Sequence, residues 1–190
     1  MRVDLSLTSN RDYEHGRSLP VRALWLWIEA LTLLNPLVTS YPFKRWLLRR
    51  FGAAVGDNVI IKPSVHVKHP WRLRVGENSW IGERSWIDNL APVDIGDNVC
   101  ISQGAYLCTG NHDWADPGMG LVAAPIVIEP GAWVGAFAKV GPGVTVGAQA
   151  VLSLGSVLAE DAEPNGIYCG NPAERVGTRR LRDVAGPPPG

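Results

Sequence analysis

The chain has 190 residues, 46% of them hydrophobic, and its 18 Lys and Arg are matched by 18 Asp and Glu, so the formal net charge is zero. That length suits one domain with a sizeable core, and the balanced charge excludes a general attraction of the whole molecule to nucleic acid or anionic lipid. With 21 Gly and 15 Pro in so apolar a chain, many tight corners are expected rather than disorder.

The opening MRVDLSLTSNRDYEHGRSLP has no apolar run of the kind a secretory signal needs. Two helices are predicted next, over residues 21–34 and 42–51. The apolar run 23–34 is too short to span a bilayer. The second helix sets Lys44, Arg45, Arg49 and Arg50 beside Trp46, Leu47 and Leu48. Residues 1–54 are therefore read as a helical cap over the open end of the next domain, with peripheral contact to a membrane surface through residues 21–50 as a compatible alternative.

From Val55 the chain falls into rows of six: VGDNVI, IKPSVH and VKHPWR; then VGENSW, IGERSW and IDNLAP; then IGDNVC, ISQGAY and LCTGNH. After an interruption come IEPGAW, VGAFAK, VGPGVT, VGAQAV, LSLGSV and LAEDAE. All fifteen rows begin with Val, Ile or Leu, and the fifth place is small or Val except at Trp71 and Asn111. Such a period is neither helical nor simple alternation. It predicts short extended segments joined by corners, three rows to a triangular turn, hence an all-β solenoid of about five coils. First-place residues should fill the prism, fifth-place residues sit near corners, and second-place glycines such as Gly76 and Gly82 relax the backbone angles. The solenoid domain is set at 55–173. A short C-terminal helix or tail follows at 174–190, with the closing AGPPPG expected to be disordered.

Ile95 and Ile128 stand 33 positions apart where a coil takes 18. The surplus predicts a loop over residues 111–125 leaving the prism, and such excursions often form binding sites. Of four histidines only His112 lies at that exit. Sixth-place residues stack into three outward columns: Ile60, Trp80, Cys100, Trp133 and Val151; His66, Trp86, Tyr106, Lys139 and Val157; Arg72, Pro92, His112, Thr145 and Glu163. His112 and Trp133 thus fall on different edges of one prism. Prisms around a threefold axis would set one edge of each against a different edge of its neighbour, which predicts a homotrimer sharing its site. The three cysteines, Cys100, Cys108 and Cys169, form no CxxC pair, so packed thiols in a reducing, cytoplasmic setting are expected.

The rows, together with WIDNLAPVDIGDNVCISQGAYLCTGNHDW and GNPA, resemble the hexapeptide-repeat acyltransferases, in particular those of colanic-acid and other exopolysaccharide O-acetylation. The resemblance covers residues 51–176. It implies a left-handed parallel β-helix and acetyl-CoA as co-substrate, with a sugar or lipid-linked sugar as acceptor. It also implies a trimer with its sites between subunits. An alcohol is a poor nucleophile until its proton is being removed, and neutral imidazole suits that work at cellular pH. His112 is accordingly the candidate base. By the same likeness Trp133, Gly135, Ala136, Leu154 and Gly155 would line the acetyl and pantetheine path, the Ala136 N–H facing the thioester oxygen. Arg175, Arg179 and Arg180 are candidates for the phosphates. Asp88, Asn89, Asn111 and Asp113 are candidates for orienting acceptor or imidazole, with corner hydrogen bonding the equal alternative for Asp88 and Asn89. Trp80, Trp86 and Tyr106 are either buried in the interface or sugar platforms. No metal is expected, because His66 and His69 lie two coils from His112, against a zinc carbonic-anhydrase arrangement. A serine, xenobiotic or amino-sugar acceptor, or a non-enzymatic scaffold, stays open on fold grounds.

Overall fold

The computed structural model describes residues 2–9 and 13–182. Two helices, α1 (Leu19–Leu31) and α2 (Tyr41–Arg50), precede a parallel β-solenoid. Three sheets form its faces. Along the first, Val55, Val75, Ile95, Ile128 and Val146 lie in register; along the second, Ile61, Ile81, Ile101, Val134 and Leu152; along the third, Val67, Ile87, Leu107, Val140 and Leu158. These fifteen are the first-place residues of the rows, and all are buried. Thirteen of the fifteen fifth-place residues are buried as well, Trp71 and Asn111 again excepted. Five coils close, and a partial sixth follows in which Ala162 bridges to Val146 and Gly166–Gly170 pairs with Val151 and Leu152.

The second-place glycines are there for space rather than for backbone angle. A Cβ on Gly76 or Gly82 would lie 2.5 or 2.4 Å from a backbone nitrogen of the coil above, a separation no carbon tolerates. The left-handed conformation falls instead on the fourth place of most rows, as at Asn58, Asn78 and Asn98, each with φ 56°, where Asn is among the residues best suited to it.

Both ends of the stack are covered. At the start, Trp25 Nε1 donates to the Val67 carbonyl (2.8 Å) while Glu29, one helical turn later and buried, accepts the Val67 N–H (2.6 Å). On α2, Lys44 Nζ donates to the carbonyls of Ile61 and Lys62, Arg45 to that of Val59, and Arg49 to those of Val55 and Gly56. The first coil has no neighbour below, so its strand groups would otherwise be orphaned. At the far end Gly166–Gly170 turns back through Ala173–Thr178 in an antiparallel pair. Residues 173–178 are thus a strand, not the short helix or tail expected. AGPPPG lies outside the described residues.

Candidate active site

The surplus after the third coil folds as an antiparallel hairpin, Gly110–His112 against Leu121–Ala123. His112 therefore belongs to no column of the prism. The two extra residues before Val75 and before Ile95 shift the register, and the true third column reads Arg74, Asp94, Val127 and Thr145.

The His112 ring is exposed and its Nδ1 lies 2.7 Å from the Met119 carbonyl oxygen. A carbonyl only accepts, so Nδ1 carries the proton and Nε2 presents a free lone pair. Met119 is held at φ 49°, between two glycines whose N–H groups donate to the Asp116 carboxylate, Gly118 at 3.1 Å and Gly120 at 2.9 Å. Those bonds hold the Asp116 carboxyl below the ordinary carboxylate value. Asp116 thus shapes the turn that aims the carbonyl at the imidazole. Periodicity says nothing of it, and its one sequence signal is the turn-forming ADPGMG. The N-terminal segment braces the same turn, the Asp4 N–H donating to the Pro117 carbonyl (2.9 Å) and the Thr8 hydroxyl to that of Gly118 (2.5 Å). Asn111 accepts the His112 N–H (2.8 Å) and Asp113 the Ala115 N–H (2.9 Å), both exposed beside the ring.

A crevice of about 350 Å³ opens on the second face, lined by Ser102, Trp133, Gly135, Ala136, Leu152 and Leu154 among others. The Trp133 indole donates to Ser102 Oγ (2.8 Å), which fixes the ring across one wall. The Ala136 carbonyl accepts the N–H of Gly155 (2.8 Å), while among the described residues the Ala136 N–H meets no protein acceptor. Phe137, beside it, is exposed at φ 57°, its ring against Gly104. A bulky residue with positive φ stores backbone strain. His112 does not line this crevice; a single chain keeps the two apart.

The remaining candidates divide. Asp88 is held by Lys68 (2.8 Å) and by the Tyr106 hydroxyl (3.1 Å). Burial, with Cys108 and Asp88 adding to it, raises that hydroxyl above its ordinary value. Asn89 is fully buried and spends both ends of its amide on the His69 backbone (2.8 and 2.6 Å). Corner hydrogen bonding thus engages both ends of the buried Asn89 amide. Arg175 contacts Glu163 and Thr178, and Arg180 is exposed beyond the last strand; neither lines the crevice. Arg179 donates to the carbonyls of Gly131 and Gln149, which ties down the C-terminal strand. The Trp86 ring meets those of Tyr106 and His66 in tilted contacts, with centroids 4.8 and 5.4 Å apart. Among the described residues no group of three His, Cys, Asp or Glu could hold a metal ion.

A family model described as the hexapeptide repeat of succinyl-transferase matches residues 72–108. A protein of Escherichia coli K12 bearing the name colanic acid biosynthesis acetyltransferase WcaF is 36% identical over 172 residues, covering 88% of this chain and 94% of that one. The chain belongs to the hexapeptide-repeat acetyltransferase family. The galactoside O-acetyltransferase of the same bacterium is 30% identical over 72% of this chain and 68% of its own length. Among solved structures, the hexapeptide-repeat acetyltransferase VCA0836 of Vibrio cholerae, complexed with acetyl coenzyme A, shares the fold with a TM-score of 0.78 at 23% identity, over 90% of this chain and 96% of that one. In this acetyltransferase the solenoid positions the crevice, and the hairpin sets the imidazole apart from it.

Proposed function

We propose that this acetyltransferase transfers the acetyl group of acetyl-CoA to a sugar hydroxyl, with His112 as general base. The observation that carries the reading is the exposed imidazole whose Nδ1 faces the Met119 carbonyl. Nε2 takes the proton of the acceptor hydroxyl as its oxygen attacks the thioester carbon. The carbon–sulfur bond then breaks, and the proton passes from Nε2 to the departing thiolate. Trp133, Gly135, Ala136, Leu154 and Gly155 hold the acetyl and pantetheine portion, and the unengaged Ala136 N–H polarises the thioester oxygen. No covalent enzyme intermediate is needed when both substrates lie in one crevice. Because one chain keeps imidazole and crevice apart, the complete site is formed between two copies, in a homotrimer. Asn111 and Asp113 flank the acceptor. Arg175 and Arg180 meet the CoA phosphates across the interface.

The relatives that carry names support a sugar acceptor, one in exopolysaccharide assembly and one in galactoside acetylation. Contact with the inner face of a membrane fits the N-terminal segment. Leu24, Trp27 and Leu31 on α1, with Phe43 and Trp46 on α2, stand exposed. Between residues 21 and 50 five cations face one carboxylate, the buried Glu29. No helix among the described residues is long and apolar enough to cross a membrane.

Thiol release from acetyl-CoA, measured against a panel of free, nucleotide-linked and lipid-linked sugars, tests the reaction. The reading fails if no acceptor accelerates release. Sedimentation equilibrium tests the trimer, and a monomer at micromolar concentration would contradict it. Co-sedimentation with anionic vesicles, lost in Trp27→Glu, tests the membrane contact.

A further inference from the structure

A second cavity, of about 220 Å³, lies between α1, the corner after the first coil and the segment around His15. Arg22 and Leu26 line it from the helix, Lys68, His69 and Trp71 from the corner, and Leu90 from the coil above. No acceptor meets the Arg22 guanidinium among the described residues, and its Nε is buried without a partner. A buried cationic donor left unpaired is costly unless a ligand completes it. Lys68 shares the cavity, and Arg72, next to the lining residue Trp71, donates to the Tyr13 hydroxyl and the Glu14 carbonyl. Among the described residues that line the cavity, Arg22 and Lys68 are the cations and no carboxylate lines it; Lys68 engages Asp88 at 2.8 Å. The same cations act on the neighbouring imidazoles. After burial, Arg22 and Arg72 lower His15, while Arg72 and Lys68 help to lower His69. None of these groups lines the crevice beside Trp133.

The place of the cavity matters as much as its charge. Leu90 packs against Gly110, since a Cβ there would lie 2.6 Å from the leucine Cδ1. Gly110 is the root of the hairpin strand that carries His112, about 7 Å along the chain from the imidazole residue. The Leu90 wall of the cavity therefore adjoins the root of the hairpin that carries the base.

We propose that this cavity binds the phosphate or diphosphate of an activated sugar, so that the acceptor is a glycosyl phosphate, carried on a nucleoside or on a lipid, rather than a free sugar. This rests on the O-acetyltransferase reading and specifies its acceptor. The guanidinium supplies paired donors of the geometry phosphate oxygens accept, Trp71 gives an apolar wall, and the phosphoester bonds stay intact.

The test has two arms. In the first, binding of inorganic pyrophosphate to the full-length protein is measured by calorimetry in wild type, Arg22→Gln and Arg22→Lys. Wild type binds, the Gln variant loses about 10- to 100-fold in affinity, and the Lys variant keeps part of it. Absence of pyrophosphate binding by wild type, or equal binding by Arg22→Gln, overturns the proposal whatever the reaction proves to be. In the second arm, thiol release is compared for one hexose offered free, as its 1-phosphate, as its nucleoside diphosphate ester and as its lipid diphosphate. The proposal requires kcat/KM for the phosphorylated forms to exceed that for the free sugar, with the preference reduced in Arg22→Gln. The better of the nucleotide and lipid forms identifies the source of the phosphate. A free sugar that reacts as well as its phosphorylated forms refutes the proposal while leaving the acetyltransferase reading standing. Silence with every acceptor alongside tight pyrophosphate binding refutes that reading instead.

Discussion

Replacing His112 by Ala removes the proposed base and little else. The ring is exposed, and its one side-chain contact is a neutral hydrogen bond to the Met119 carbonyl. Loss of such a bond costs about 1 kcal/mol, a fall of about 2–4 °C in Tm for a chain of this size. Loss of a positioned general base costs about 10²- to 10⁴-fold, or roughly 3–5 kcal/mol of barrier at about 1.4 kcal/mol per tenfold. The two effects are therefore separable, since the variant should melt almost as wild type does and yet be nearly inactive. His112→Asn sharpens the comparison. Its carboxamide N–H can still donate to the Met119 carbonyl but offers no basic nitrogen. Both variants are assayed by thiol release with saturating acetyl-CoA, alongside thermal melts. If the Asn variant recovers activity to within tenfold of wild type while Ala does not, the imidazole serves to brace the turn, and the assignment of a base is wrong.

Asp116→Ala removes the acceptor of the two N–H groups flanking Met119, so kcat should fall about tenfold through misplacement of the imidazole. KM for acetyl-CoA should not move, and a parallel rise in that KM would mean that the hairpin also builds the donor site. Gly135 and Gly155 behave as a contrasting pair. A Cβ on Gly135 would stand 2.6 Å from the Leu152 carbonyl oxygen, so Gly135→Ala should cost about 1–3 kcal/mol in denaturant melts. Gly155 has φ 68° and open space around it, so Gly155→Ala should cost only the left-handed penalty of about 1–2 kcal/mol. An unchanged melt for Gly135→Ala, or a Gly155→Ala loss well above the left-handed penalty, would contradict the crevice geometry. Acid should destabilise the fold through His69, which burial lowers from 6.5 to about 4 with Arg72, Lys68 and His15 adding to it. Its folded value lies below its unfolded one, so the stability it contributes is full above pH 6.5 and is lost as pH falls toward 4. Between pH 7 and pH 5 the loss is about 2 kcal/mol, a drop of roughly 4–8 °C in Tm that His69→Asn should largely abolish. Identical pH slopes in the two proteins would refute it.

The interior of the solenoid was legible because its physics repeats. A branched aliphatic every sixth residue is what a narrow prism demands, so the fifteen first places and thirteen of the fifteen fifth places are buried where the rows put them. The rows resume correctly after each insertion, but the outward column next to an insertion does not follow from them. Stacking the sixth places of the rows puts His112 on an edge column, whereas strand pairing puts Arg74, Asp94, Val127 and Thr145 there. The inserted pairs themselves join the ladder, Leu73 opposite Val93 and Arg74 opposite Asp94, so the residue before each first-place aliphatic, and not the sixth place of the preceding row, faces outward on that side. The glycines show the same limit in another form. Their places are periodic and visible, but whether a missing Cβ serves an angle or a close approach depends on the coil above.

The candidate site was half legible for a related reason. Trp133, Gly135, Ala136 and Leu154 share one crevice because they occupy fixed places in rows stacked on each other. Asp116, Met119 and the bracing segment 2–9 belong to a hairpin and a terminus that obey no period. The basic helix illustrates how a pattern can be seen and still be only partly understood. Lys44, Arg45 and Arg49 look like a membrane-facing row, yet they point at the carbonyls of the first coil. Arg49 is in addition paired with the Asp57 carboxylate at 2.9 Å, and burial lowers the Lys44 ammonium from its ordinary value. One set of side chains thus closes the solenoid, and the basic row that the sequence displays is spent on the first coil's carbonyls.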